Sequence, residues 1–191
     1  MGSEMCIRDS ASSSGPGAMN GAWGNAYSLT SNLKLLKGMS ETQSLPVHVG
    51  IGQVLEALAY VNLVDFLGTA VYSDAVNSEY TQPNLDDGVE IYKSMLSQLD
   101  EAIDNLSQTG SVTHEDIFYE NASSWTKLAN TLKIKMYVQS RLAGDDWDGD
   151  STSNKSAIEA IVSSGNFISS NDDDFQVYFG SNETNPDNRH Y

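Results

Sequence analysis

Cysteine is almost absent: Cys6 is the only one in 191 residues. A single thiol excludes an intramolecular disulfide and any cysteine-rich metal site. Cys6 follows Ser3-Glu4-Met5, which is neither the apolar core of a signal peptide nor the small-residue setting of a lipidated cysteine. Positive charge is scarce as well. Ten Lys and Arg face 26 Asp and Glu, a formal net charge of −16. Neutralising phosphates takes clustered Lys and Arg, so nucleic acid is excluded as a partner and an anionic lipid surface is disfavoured. Long apolar runs are missing: none is read as approaching the ~20 residues that span a bilayer. Catalytic signatures are missing too. His48, His114 and His190 stand apart, and no Ser or Cys sits in a nucleophile elbow or a Cys-His context. There is no phosphate loop and no dinucleotide fingerprint. The sequence therefore predicts a protein that is not an enzyme and needs no cofactor. The abundant carboxylates read as a solvated surface, although counting alone leaves a glycosidase pair open.

What is present is enough for a packed core, with 39% hydrophobic and 9% aromatic residues. Residues 1–18 are rich in Ser, Gly and Ala without any period and are expected to be a non-native or disordered leader. Residues 19–191 are expected to form a partial helical domain, cut at both ends. Helices are predicted at about 22–38, 46–67, 87–107, 122–143 and 155–164. Gly38 is placed as the first C-cap and Gly68 as the second. The second helix is apolar nearly all round, with Leu63, Val64, Phe66 and Leu67 near its end, so it should be central and buried. Asp86 or Asp87 should cap the third, which carries one clean stripe from Val89 to Leu106. Leu55, Leu58, Leu63, Leu96, Leu99, Leu128 and Leu132 should share one core, and Trp23 and Trp125 should be core residues too. Lys127, Lys133, Lys135 and Arg141 read as a solvated face of the fourth helix. The alternation in Phe175-Gln176-Val177-Tyr178-Phe179 predicts one short strand or extended arm. Trp125-x-x-Leu128-Ala129-x-x-Leu132 approximates the opening of a tetratricopeptide repeat. The fold class is accordingly all-α: tetratricopeptide-like stacked hairpins with long loops at 69–85 and 143–155.

Two loop clusters carry the chemistry. Asp146, Asp148 and Asp150 have the one-three-five spacing of a calcium loop, but Ser151 and Ala157 stand where the glycine and the bidentate Glu belong. An ordinary acidic turn is the preferred reading, with no metal assigned. Trp147 between Asp146 and Asp148, and Tyr72 beside Asp74, are the candidate ligand-binding residues. A pyranose offers an apolar ring face and a rim of hydroxyls, so it is gripped by an aromatic with polar neighbours. Tyr80 and Tyr119 are further loop aromatics; for Tyr72 a residue packed at a helix end is the preferred reading and a ligand contact the second.

The order of features over residues 53–142 resembles the SusD/RagB family, in its SusD-like starch-binding branch. Asp65-Phe66-Leu67-Gly68-Thr69-Ala70-Val71-Tyr72-Ser73-Asp74-Ala75 resembles its "DxxGxxPYSEA" turn. Ile91, Tyr92, Leu96, Leu99, Asp100, Glu101, Ala102, Ile103 and Leu106 follow its "IYxxxLxxLDEAIxxL" helix. Asp116, Tyr119, Trp125, Lys127, Ala129, Asn130, Leu132 and Lys133 follow its "DxxYxGxxxxWxKxANSLKLR" stretch. Val71 replaces the usual Pro and Glu120 the usual Gly, which loosens both turn assignments. The resemblance implies a non-catalytic, surface-exposed lipoprotein of the outer membrane. Such a protein captures oligosaccharide or polysaccharide and passes it to a SusC-like TonB-dependent transporter. The rival reading is a helical-repeat scaffold that binds another protein.

Overall fold

The computed structural model describes residues 20–109, 116–142 and 151–177. The leader, the acidic turn at 145–150 and the chain beyond 177 lie outside the described residues. Five helices dominate: α1 (Asn20–Gln43), α2 (Pro46–Leu67), α3 (Gly88–Leu106), α4 (Ala122–Gln139) and α5 (Ser151–Ser164). Two two-residue strands, β1 (Thr69–Ala70) and β2 (Asp86–Asp87), pair antiparallel, with Thr69 opposite Asp87 and Ala70 opposite Asp86. Helix α2 packs on α1 and α3, and α3 on α4, so consecutive hairpins stack as expected for the all-α class.

The helix boundaries follow from local chemistry. Asp87 caps α3 by accepting from the Val89 amide at 2.8 Å, and Asn121 caps α4 through the Ser124 amide at 2.8 Å. Each satisfies one donor that the first turn leaves orphaned. Gly68 closes α2 with φ +78°, its amide donating to the Val64 carbonyl. That left-handed position is one a side chain would resist. The stripe on α3 is buried as the spacing demanded, at Ile91, Tyr92, Met95, Leu99, Ala102 and Leu106. From α4, Trp125, Leu128, Ala129, Leu132 and Met136 meet it. Leu63 is fully in this core, while Leu55, Leu58 and Leu96 are half-buried against it, as is Trp23.

Several expectations are corrected. Gly38 does not end α1, which runs on to Gln43. The stop comes from Ser44 at φ +53° and from Pro46, whose ring disfavours helical backbone at Leu45. Helix α5 begins at Ser151 rather than 155. Of the strand or extended arm expected at 175–179, residues 175–177 form no strand, with Phe175 stacked on Phe118 at 4.4 Å between ring centroids, and Tyr178 and Phe179 lie outside the described residues. The strands that do exist border the 69–85 loop. Helix α2 proves long and apolar enough to cross a membrane by length and composition, contrary to the reading of short apolar runs. However, 61% of its most apolar window is buried inside the protein, as in a core helix. Its last turn breaks the expected burial, with Phe66 67% exposed. Of the four cations expected on a solvated face, the three lysines of α4 are ion-paired with other segments, while Arg141, just past α4, is exposed as expected. Lys127 pairs with Asp173 at 2.6 Å, Lys135 with Asp65 at 3.0 Å, and Lys133 with Asp100. Arg141 donates to the Val138 carbonyl.

Candidate functional site

The first turns of α1 and the 71–84 loop enclose a cleft of about 600 Å³. Trp23, Tyr27, Tyr80 and Pro83 give it apolar walls, and Asp74, Asn77 and Ser78 give it polar ones. Trp23 and Tyr27 lie one helical turn apart, so their rings meet at 5.1 Å on the same face of α1. The contact continues inward, Tyr27 edge-on to Tyr60 at 6.2 Å and Tyr60 edge-on to Tyr72 at 5.1 Å. This row fastens the loop. The Val71 amide donates to the Tyr27 hydroxyl at 3.0 Å, and the Tyr60 hydroxyl donates to the Val71 carbonyl at 3.3 Å. Burial raises the pKa of Tyr27, Tyr60 and Tyr72, with nearby carboxylates adding to the rise. They stay neutral phenols, suited to hydrogen bonding rather than to acid-base work.

Asp86 anchors the other side of the loop. Its carboxylate accepts from the Tyr72 amide at 2.7 Å, the Ser73 amide at 2.9 Å and the Ser73 hydroxyl at 2.7 Å. Burial pushes its pKa up, but these three hydrogen bonds outweigh that and hold it below the ordinary 3.8. Asp65 is likewise depressed, burial being outweighed by Tyr92, Lys135 and Gln139. A depressed carboxylate pKa contributes stability that is full above the unfolded value and lost as pH falls through the folded one. The loop should therefore hold at neutral pH and loosen only below about pH 4. Asp86→Asn should remove part of that acid dependence, checked by thermal melts from pH 7 down to pH 3.

Of the residues singled out in the sequence, Asp74 lines the cleft. Its Oδ2 accepts from the backbone and side-chain nitrogens of Asn84, both at 3.1 Å. Among the described residues Oδ1 accepts none, and so can face a ligand. Tyr72 is turned inward on Tyr60 and supports the wall from behind. Asp146, Trp147 and Asp148 lie outside the described residues. Trp23, read from the sequence as core, is half-buried at the cleft, and Tyr80 is 49% exposed beside it. The sequence signal for Trp23 is its i, i+4 pairing with Tyr27 near the start of α1. Among the described residues no group of three His, Cys, Asp or Glu is placed to hold a metal.

A second cleft, about 300 Å³, lies where α2 ends and α3 begins, and is lined by Asp65, Gly68, Gly88, Tyr92 and Gln139. Its polar groups serve one another. Tyr92 donates to Asp65, Gln139 Nε2 donates to Asp65 at 2.9 Å and Lys135 does so at 3.0 Å. The other motif residues are also structural. Asp116 accepts from the Trp125 indole at 2.6 Å and from the Phe118 amide at 2.9 Å. Tyr119 donates to the Asp173 carbonyl at 2.9 Å, and Asn130 to the Asn166 carbonyl at 2.8 Å. They pin the 116–121 and 166–175 segments onto α4.

Comparison with known proteins agrees with this architecture. The SusD-like family model, described as starch-binding and associating with the outer membrane, matches residues 14–190. A solved SusD/RagB family protein from Bacteroides thetaiotaomicron is 26% identical with a TM-score of 0.72, over 88% of this chain and 34% of that one. A SusD-like protein from the same organism is 22% identical with a TM-score of 0.63, over 81% and 31%. A SusD homologue from Bacteroides vulgatus is 23% identical with a TM-score of 0.56, over 71% and 28%. The latter two show the fold alone. The chain thus spans about a third of the length of these relatives. None of the curated proteins compared with it matches.

Proposed function

The chain belongs to the SusD-like family, and from that premise we propose that it is part of a non-catalytic glycan-capture protein. The observation that carries this is the cleft of Trp23, Tyr27 and Tyr80 rimmed by Asp74, Asn77 and Ser78. Indole and phenol faces suit the apolar face of a pyranose, and the carboxylate, amide and hydroxyl suit its hydroxyl edge. No step of bond making is required: affinity and release suffice. In this proposal the parent protein is a surface lipoprotein of the outer membrane. It passes oligosaccharide to a SusC-like TonB-dependent transporter. Tyr72 stiffens the wall behind Asp74, and Trp147 with Asp146 and Asp148 supplies a second aromatic contact. A protein-binding scaffold is the second reading, favoured by the exposure of Phe66 and Leu142, 67% and 83%.

Calorimetry with maltooligosaccharides separates the two. Trp23→Ala and Tyr80→Ala should each weaken binding by about 1–3 kcal/mol, the scale of losing a central aromatic anchor. Helical content should be unchanged. Trp147→Ala should cost a smaller amount if the cleft is the main site. Equal affinity in wild type and both cleft variants would remove the cleft from the account.

A further inference from the structure

We propose that Lys34 is a positioning residue for the cleft, holding the Val76 turn in the shape that makes the outer wall. This rests on the glycan-capture reading above. Val76 lines the cleft between Asp74 and Asn77, with φ at +54°. That left-handed region is easy for Gly and tolerable for Asn, but a β-branched side chain there is a genuine outlier. Asn77 is the next residue, yet the positive φ falls on Val76. Core burial does not compensate, since Val76 is 38% exposed. A conformation of this kind persists only where its surroundings over-determine it.

The surroundings are specific. Both ends of the loop are tied, at Val71 by Tyr27 and Tyr60, at Tyr72 and Ser73 by Asp86, and at Asn84 by Asp74. The span 75–83 between them is otherwise held by its own short-range bonds, such as Glu79 to Asn77 and Tyr80 to Asn77. Among the described residues one hydrogen bond reaches that span from another element: Lys34 Nζ of α1 donates to the Val76 carbonyl at 3.1 Å. The choice of partner is informative. The three lysines of α4 each meet a carboxylate from another segment. In a chain with 26 acidic residues, Lys34 has no carboxylate partner among the described residues and is directed at a strained carbonyl. An ammonium-to-carbonyl bond is charge-assisted, which suits it to holding a turn that would otherwise relax. Releasing it should let residues 75–80 relax and carry Asn77, Ser78 and Tyr80 away from Trp23.

The test uses two readouts. In hydrogen exchange, Lys34→Met should raise exchange at the amides of 75–80 by about tenfold while α2 and α3 stay protected. In calorimetry with maltooligosaccharides, Lys34→Met should weaken binding by about 3- to 10-fold and Lys34→Arg should restore most of it. Val76→Asn fits the left-handed region, so in that background Lys34→Met should cost less than about twofold. Unchanged exchange in Lys34→Met overturns the proposal, as does raised exchange with unchanged affinity. A wild type that binds no glycan, with exchange still raised in Lys34→Met, overturns the glycan reading and leaves the hold of Lys34 on the loop standing.

Discussion

Trp125→Ala is expected to destabilise the protein by about 3–5 kcal/mol, the range for truncating a fully buried large aromatic. Trp125 is 1% exposed, and its ring meets Tyr119 at 5.4 Å, Phe175 at 5.7 Å and Phe118 at 5.9 Å. Its indole N–H is also a partner of the Asp116 carboxylate. Removing it opens a cavity and frees that carboxylate at once, so two segments lose their seat on α4. Against a typical total stability of about 5–15 kcal/mol, the loss is a large fraction of the whole. Urea unfolding followed by helical circular dichroism measures it. Trp125→Phe keeps one six-membered ring but gives up the rest of the indole and its N–H, and should lose less than the alanine variant. A Trp125→Ala loss below about 1 kcal/mol would show that this cluster does not organise the fold.

Gly88→Ala should be the most damaging small substitution. Gly88 opens α3 and is buried; an added Cβ would stand 2.4 Å from the Gly68 carbonyl oxygen and 2.8 Å from a Val64 methyl. The obstruction is mainly backbone, and that backbone is the left-handed cap that turns the chain out of α2. It cannot rotate aside as a side chain would. Overpacking costs about 1–3 kcal/mol, and an unyielding neighbour places this case at the upper end. The β1–β2 pairing would loosen with it, since Thr69 and Asp87 flank the contact. A thermal melt shows the effect; a melting temperature within a degree of wild type would mean that the two helix ends can separate freely.

The parts of this fold that were legible in the sequence are those governed by local rules. The α3 stripe and its Asp87 cap follow from spacing and side-chain chemistry alone. The end of α1 is set by a proline and not by a glycine: Gly38 is an exposed helix residue where an added Cβ would meet open space, whereas Pro46 constrains the residue before it. The alternation at 175–177 is real, but among the described residues no neighbouring strand receives it, and Phe175 completes a cluster around Trp125. The two short strands could not be read from periodicity, because two residues have none. The motif residues of the family resemblance, Asp65, Asp116, Tyr119 and Trp125, proved to be fasteners of helix ends and loops. The cleft depends on tertiary contact between α1 and a loop some 50 residues later, so the sequence points to Asp74 and to Tyr80 as a loop aromatic but does not join them to Trp23 and Tyr27. Trp23 has the spacing of a core residue because one side of it packs against the core while the other lines the cleft.

In the proposed function these fasteners hold the fold while the cleft of Trp23, Tyr80 and Asp74 meets the ligand. The most direct test is an NMR titration of the isotope-labelled protein with maltoheptaose. Shifts should concentrate at the Trp23 indole and the amides of 74–80, with Asp65, Tyr92, Gln139 and the Trp125 indole unmoved. Shifts centred on the Asp65 cleft, or saturation with no change at Trp23 and 74–80, would contradict it.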